Sequence, residues 1–395
     1  MTQNTNILVI NCGSSSLKFA AIDPKTGTNH ITGLAERLGS DQAIVKYEIE
    51  GNKQEKKPQS QDHQGALTTV SEILNEAGLL KSLIGVGHRV VHGGELFSQS
   101  MLLDDENIAQ LETLNHLAPL HNPVNLLGIK ALKSLLPELP QVAVFDTAFH
   151  QSMPDHAFLY GLPYDLYKEH GVRRYGFHGT SYRYVNLKAA ELLGKPVEEC
   201  NFLAAHLGNG CSACAIKDGK SVDSSMGLTP LEGLIMGTRS GDIDPGMVDF
   251  LCERLNVGLE EVMSILNKKS GLLGLSGVSN DMREIQQAAE AGDLQANLAL
   301  EVFAFRIARY LGSLAVSLPK IDALIFTGGI GENDRFTRAL VLEHLSILGF
   351  QLDGELNQKN GNELGQITTS NSTLAMVVNT NEELMIAQDT FALVQ

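Results

Sequence analysis

Two segments of this 395-residue chain share one pattern and lie about half a chain apart. The first runs Ile7-Leu8-Val9-Ile10 into Asn11-Cys12-Gly13-Ser14-Ser15-Ser16, continues as an extended stretch from Leu17 to Ile22, and ends in the turn pair Asp23-Pro24. The second runs Phe202-Leu203-Ala204-Ala205-His206-Leu207 into Gly208-Asn209-Gly210, then Cys211 to Ile216, and closes at the hairpin turn Lys217-Asp218-Gly219-Lys220. Aligning Gly13 with Gly208 also aligns Asp23 with Asp218, a constant offset of 195 residues. A strand, glycine turn, strand unit used twice predicts two similarly built domains. The length agrees, at roughly 100–200 residues per domain.

Between and after the two copies, helices alternate with strands. Apolar residues at Leu300, Phe303, Ile307, Tyr310, Leu311 and Leu314 predict a helix within 294–318. The strand Ala323-Leu324-Ile325-Phe326 follows, opening onto Thr327-Gly328-Gly329-Ile330-Gly331-Glu332-Asn333, and the sequence ends in a helix over 382–394. This alternation is the signature of an α/β class. The polar stretches 51–64 and 355–373 read as a loop or hairpin tip and a solvated loop.

Composition narrows the function. Hydrophobic residues make up 43% and charged residues 19%, with mean hydropathy −0.03, which suits globular cores. The net charge of −16 argues against nucleic-acid and anionic-membrane surfaces, because phosphate attraction needs basic patches. The longest apolar stretch, 298–318, is interrupted by Glu301, Arg306 and Arg309, so no membrane helix is expected. Met1–Asn6 is polar without a basic residue, which argues against a signal segment. Five cysteines give no disulfide framework and suit a reducing, cytoplasmic location.

Each motif has a bland alternative. Gly208 to Ala213 matches Gly-x-Gly-x-x-Ala, but a dinucleotide site needs a helix next and a strand follows here, so a hairpin whose amides line an anion site is the better reading. Gly13 to Lys18 lacks the second glycine and Lys-Ser/Thr pair of a phosphate loop, yet its serines and Lys18 can face a phosphate. Cys211 and Cys214 fall on opposite faces of a strand and read as structural. His88 and His92, four apart in a glycine-flanked stretch, would share one strand face and read as core or loop histidines. Three loops bring arginine or histidine beside glycine: His88 to Gly94, Tyr175 to Thr180, and Met236 to Asp242. His178 precedes a helix expected to start near Thr180 or Ser181, where backbone amides favour an anion. Asp146 ends the apolar strand Val142 to Phe145 at the ligand end of an α/β sheet, with a helix N-cap as its ordinary reading.

Taken in order, these segments resemble the acetate kinase (acetokinase) family, within the superfamily of sugar kinases, Hsp70 ATPase domains and actin. The resemblance rests on Asn11 to Lys18, His88 to Glu95, Phe145 to His150, Tyr175 to Ser181 and His206 to Gly210. It continues through Gly237 to Gly246, Ser279 to Arg283, Thr327 to Asn333 and Thr380-Asn381-Glu382-Glu383, with no departure at these positions. It implies an α/β fold of two duplicated actin-like (ribonuclease H-like) domains with a nucleotide cleft between them. The first would span 1–149 and be joined by the terminal helix 383–395, and the second, 150–382, would carry the nucleotide site. The implied reaction is ATP + acetate ⇌ ADP + acetyl phosphate with Mg²⁺, or possible Mn²⁺ substitution.

The residue types suit that chemistry. A carboxylate is already an ionised nucleophile, so the obstacle is repulsion from the triphosphate, which cations relieve. By resemblance, Arg89 and Arg239 hold the carboxylate and the transferring phosphoryl group, His178 donates to its oxygens, and Asp146 positions the metal or its water. Asn11 and Glu382 are the implied metal-shell oxygens, with Glu383 as the alternative to Glu382. The phosphates would lie against His206, Leu207, Gly208, Asn209 and Gly210 and near Lys18. The adenosine would contact Asp281, Met282, Arg283, Gly328, Gly329, Ile330, Gly331 and Glu332. Val91, Leu120 and Pro230 would form the methyl pocket. A homodimer is implied, with no nucleic-acid or membrane partner. A propionate or short-chain acid kinase of the same family is the close rival, since one methylene is worth only ~1–3 kcal/mol. An actin- or Hsp70-like ATPase module is the rival from another class.

Overall fold

A computed structural model describes residues 5–395. Residues 1–4, most of the polar stretch on which the expected lack of a signal segment rests, lie outside them. The chain forms two compact units, one made of residues up to Phe149 together with Asn381–Gln395, the other of His150–Thr380. The first unit thus takes up the chain again two residues before the expected Glu383.

The first unit is built on eight strands: β1 (Asn6–Cys12), β2 (Ser16–Ile22), β3 (Asn29–Glu36), β4 (Ile44–Ile49), β5 (Asn52–Lys56), β6 (Leu83–Val90), β7 (Met101–Leu102) and β8 (Gln141–Phe145). Their order is β5-β4-β3-β2-β1-β6-β8-β7. Strands β1 to β5 form an antiparallel meander, while β6 and β8 run parallel to β1. The apolar run of β1 is what a strand covered on both faces requires. Its pleat sends Leu8 and Ile10 into a core with Phe19, Val70, Leu74 and Leu132. Ile7 and Val9 enter a second core with Ala20, Val142, Val144 and Ile386. The helices His63–Glu76 and Asn122–Leu135 cover the first face, and the terminal helix Glu382–Val394 covers the second.

The stretch 51–64 is not simply a loop. Glu50 and Gly51, with φ of 50° and 80°, make the hairpin tip, and the next residues form the polar edge strand β5, whose lysines discourage further strand pairing. The helix then opens at His63, capped by the Asp62 carboxylate, which accepts from the Gly65 amide at 2.8 Å. Similarly, Gly354–Gln358 is a short helix at the head of the expected loop 355–373.

The second unit holds β9 (Asn201–Leu207), β10 (Cys211–Lys217), β11 (Lys220–Ser224), β12 (Ala323–Thr327) and β13 (Ala375–Val377), in the order β11-β10-β9-β12-β13. Three strands are antiparallel, and β12 and β13 extend the sheet parallel to β9. This repeats the β3-β2-β1-β6-β8 arrangement of the first unit. The repeat is in register, because β9 and β10 begin and end 195 residues after β1 and β2. Asp218 and Gly219 turn the β10–β11 hairpin with φ of 51° and 77°, as a two-residue loop demands. The helices Gly179–Leu192 and Leu294–Leu314 pack on β9. No helix among the described residues is long and apolar enough to cross a membrane.

Gly87 of β6 sets how closely the terminal helix approaches its sheet. A Cβ there would lie 2.3 Å from Thr390 Oγ1 and 2.7 Å from Ile386 Cγ2, and both residues are buried. Gly87→Ala is therefore expected to destabilise the protein by about 1–3 kcal/mol. Gly85→Ala, whose Cβ would stand 3.2 Å from its nearest neighbour, should cost less. Thermal denaturation of the two variants checks the ranking.

Candidate active site

The candidate residues of the first unit gather at the carboxyl ends of its parallel strands. Register sets Arg89 on β6 opposite Val144 on β8, so Asp146 emerges one residue past β8 beside the guanidinium. Arg89 Nε donates to Asp146 Oδ1 at 3.0 Å and Nη2 to Oδ2 at 2.5 Å, while Nη1 reaches Asn11 Oδ1 at 3.3 Å. The Asp146 side chain is 3% exposed and that of Arg89 23%. Burial works against the charge of Arg89, but the Asp146 carboxylate, with Glu382 adding to it, raises its pKa further. Burial pushes Asp146 upward against the pull of Arg89, and Glu382 pushes the same way. Asp146 Oδ1 and Oδ2 each accept one hydrogen bond from Arg89, which holds the carboxylate beside the guanidinium and leaves each oxygen a further lone pair.

A guanidinium has five N–H donors on two forked edges. Asp146 takes the Nε/Nη2 edge and Asn11 one Nη1 hydrogen, so one N–H on each terminal nitrogen is left for a further acceptor. Val91, 8% exposed, is fixed next to it by its own N–H, which donates to Asn125 Oδ1 at 3.1 Å. Leu120 is 65% exposed. His88 is buried and hydrogen-bonded to the Gln141 amide at 2.7 Å. His92 lies beyond the end of β6, so the two histidines do not share a strand face as expected. Lys18 lies on β2 with an exposed side chain, and its charge counteracts the burial that raises the Glu383 pKa.

Asn11, Asp146 and Glu382 supply hard oxygen donors, Glu382 from the first turn of the terminal helix, which Asn381 caps by accepting from the Leu384 amide. Among the described residues no three His, Cys, Asp or Glu side chains converge on one point. That donor set fits Mg²⁺, which typically takes one or two carboxylates and fills its remaining positions with water and substrate phosphates.

In the second unit the glycine turn Gly208-Asn209-Gly210 joins β9 to β10 as a hairpin, as its sequence predicts. His178 stands just before the helix Gly179–Leu192, which starts one or two residues earlier than expected, in a left-handed conformation with φ of 58°. It stacks on His206 with ring centroids 4.2 Å apart, and its Nδ1 is hydrogen-bonded to Ser212 Oγ at 2.8 Å. A Cβ on Gly210 would meet His178 Nε2 at 3.4 Å and Arg239 Nη1 at 3.7 Å, so a histidine and an arginine converge over a position without a side chain. Arg239 Nη1 donates to Pro230 O at 3.0 Å. Thr180 Oγ1 is buried without a hydrogen-bond partner among the described residues, in the first turn of the same helix. Cys211 and Cys214 are buried on β10, and burial pushes the Cys211 thiol up to about 12.

Beside this turn opens a cleft of about 790 Å³, lined in part by Gly208, Asn209, Asp281, Met282, Arg283, Gly329 and Ile330. Its size suits a small-molecule ligand. The Asp281 carboxylate is held at about 2 by hydrogen bonds from Arg283. Gly328 has φ of 75°, and a Cβ there would come within 2.8 Å of Leu207 O, so only glycine lets the loop close on β9. Glu332, expected at the adenosine, turns its carboxylate onto protein: it accepts from the amides of Gly328 at 3.0 Å and Thr380 at 2.9 Å.

Sequence reasoning passed over Ser212 and Arg338. Arg338 is fully buried and donates to the carbonyls of Gly331 and Glu332 at 2.9 Å and to Asn360 Oδ1 at 2.7 Å, anchoring the rim of the cleft. A usable signal existed, for Arg338 stands where Val341, Leu342 and Leu345 demand an apolar residue.

A sequence profile described as the Acetokinase family matches residues 6–388. The chain belongs to this family. An acetate kinase of Stutzerimonas stutzeri (strain A1501) is 54% identical over 389 residues, covering 98% of each chain. Among solved structures, a propionate kinase from Francisella tularensis is 46% identical with TM-score 0.94, covering 98% of this chain and 99% of its own. A Porphyromonas gingivalis acetate kinase is 43% identical, also at TM-score 0.94, over 99% of this chain and all of its own. The arginine and histidine pairs above are thus held in an acetokinase-family fold.

The turn carrying His178 rests on a neutral histidine. His150 is fully buried, with Nε2 on Phe177 O at 2.9 Å and Nδ1 on Ser221 Oγ at 2.7 Å, and burial pushes it down to about 4. Its folded-state pKa lies below the ordinary ~6.5, so the unfolded chain binds the proton first as pH falls. The stability it contributes is present above pH ~6.5 and is lost toward pH 4. Thermal midpoints measured across that window are expected to fall less steeply in His150→Gln than in the parent.

Proposed function

We propose that this chain is a Mg²⁺-dependent acetate kinase, transferring the γ-phosphoryl group of ATP to acetate to give acetyl phosphate and ADP. The observation that carries the reading is the convergence of His178 Nε2 and Arg239 Nη1 over Gly210, next to a nucleotide-sized cleft. Family membership supplies the acceptor class, a carboxylic acid, as the names of its relatives indicate.

In this reading the acetate carboxylate lies on the Arg89 N–H groups not taken by Asp146 and Asn11, its methyl against Val91, Leu120 and Pro230. One carboxylate oxygen attacks the γ phosphorus in line; the new O–P bond forms as the bond to the β–γ bridging oxygen breaks, and ADP departs with that electron pair. His178 and Arg239 donate to the equatorial oxygens, where charge spreads in the transition state. Asp146 keeps Arg89 oriented and charged. A bound Mg²⁺, held by Asn11 and Glu382 with Asp146 nearby, would neutralise part of the triphosphate charge. The phosphates rest on His206 to Gly210 and near Lys18, and the adenosine on the cleft from Asp281 to Arg283 and Gly328 to Ile330.

We also infer a cytoplasmic homodimer with its duplicated units acting as two domains. Leu294, Leu298 and Phe305 recur on one side of the helix Leu294–Leu314 and are exposed, which suits a self-association surface. A propionate preference is the second reading, favoured by the likeness to the Francisella protein.

The test measures ADP release with acetate, propionate or no acid, trapping acyl phosphate as the hydroxamate. Acetate-dependent turnover with trapped acetyl phosphate is expected, and Arg89→Ala and Arg239→Ala should each lower kcat/KM by about 10² or more while ATP still binds. A higher kcat/KM for propionate would move the name within the family. ADP release indifferent to acid, without hydroxamate, would mean an ATPase module instead.

A further inference from the structure

A histidine that donates a hydrogen bond to a phosphoryl oxygen through Nε2 must carry its proton there, and in a neutral ring the tautomer is set by whatever meets Nδ1. Here Nδ1 of His178 meets Ser212 Oγ at 2.8 Å. Ser212 in turn meets the hydroxyl of Tyr182 at 2.6 Å. Tyr182 stands four residues after His178, on the same helix face, and both Tyr182 and Ser212 are fully buried.

Burial removes the freedom such hydroxyls have at a surface. A phenol O–H out of reach of water has to donate to protein, and Ser212 Oγ is the side-chain acceptor within its reach. With the tyrosine proton on that oxygen, the serine proton is directed to its other neighbour, His178 Nδ1. The imidazole is then an acceptor at Nδ1 and a donor at Nε2, the atom that stands over Gly210 beside Arg239.

We infer that Tyr182 and Ser212 form a one-way hydrogen-bond chain, Tyr182 to Ser212 to His178, that holds His178 as the Nε2–H tautomer. Ser212 and Tyr182 are positioning residues, acting on the reaction only through His178. The inference deepens the function proposed above and rests on it for the purpose of the tautomer, though not for the tautomer itself. The hydroxyl is what the second copy has at this point: the counterpart of Ser212, 195 residues earlier on β2, is Leu17, which is also buried but carries no hydrogen-bonding group.

The test reads the ring directly, without substrate. In full-length protein labelled with ¹⁵N-histidine, long-range ¹⁵N–¹H spectra at alkaline pH distinguish the two neutral tautomers, and His178→Gln identifies the resonance by its disappearance. The parent is expected in the Nε2–H form, with Ser212→Ala losing that preference and Tyr182→Phe weakening it. In the same variants kcat should fall, at least tenfold for Ser212→Ala and less for Tyr182→Phe, with KM for acid and ATP within twofold. A parent protein in the Nδ1–H form, or variants whose His178 signals match the parent, would overturn the chain. The expected tautomer shift without any change in kcat would leave the chain standing and count instead against the proposed role of His178 in phosphoryl transfer.

Discussion

Arg89 and Asp146 are separated by 57 residues of sequence and joined by two hydrogen bonds where the carboxylate has almost no solvent. Neither group is affordable there without the other, because an unpaired buried charge typically costs about 3–5 kcal/mol. The parallel register of β6 and β8 is what brings them together, with β8 buried along its whole length and β6 buried at all but Ile84 and Arg89. In the proposed reaction the pair therefore links the sheet to the chemistry: it holds one edge of the guanidinium fixed, and the N–H groups not taken by Asp146 and Asn11 are left for the acid. A lysine could satisfy the charge but not present two edges.

In the proposed reaction the second unit solves a different problem, keeping side chains away from the place where the triphosphate would lie. Gly210 stands beneath His178 and Arg239, and Gly328 permits its loop to press against Leu207. The supports behind these glycines are buried polar groups with directed hydrogen bonds, namely His150 under Phe177, Arg338 under Gly331 and Glu332, and Glu332 under Gly328. Each holds a backbone segment in one position, so in the proposed reaction the donors would need little rearrangement as charge develops, which is where enzymes gain most of their electrostatic stabilisation.

Much of this was legible in the sequence. The offset of 195 residues between glycine turns proved to be the offset between whole strands, because hairpins of equal length impose the same register on both copies. The helix from Leu294 announced itself through apolar periodicity, and the helix expected at the end of the sequence also forms. The edge strand β5 did not, since a strand exposed on both faces carries no hydrophobic alternation. Ser212 was equally silent: a serine within a strand has no pattern of its own, and its meaning comes from Tyr182 and His178, brought to it by the fold. Glu332 shows the converse, a residue whose motif is evident but whose carboxylate serves the backbone of its own loop and Thr380.

The proposed reaction is a single direct displacement, in which the carboxylate itself is the nucleophile and no protein group carries the phosphoryl. The most direct measurement uses ATP made chiral at the γ phosphorus with oxygen isotopes, followed by configurational analysis of the acetyl phosphate formed. One in-line transfer predicts inversion at phosphorus. Retention would contradict it, since it requires an even number of displacements and hence a phosphorylated side chain on the way.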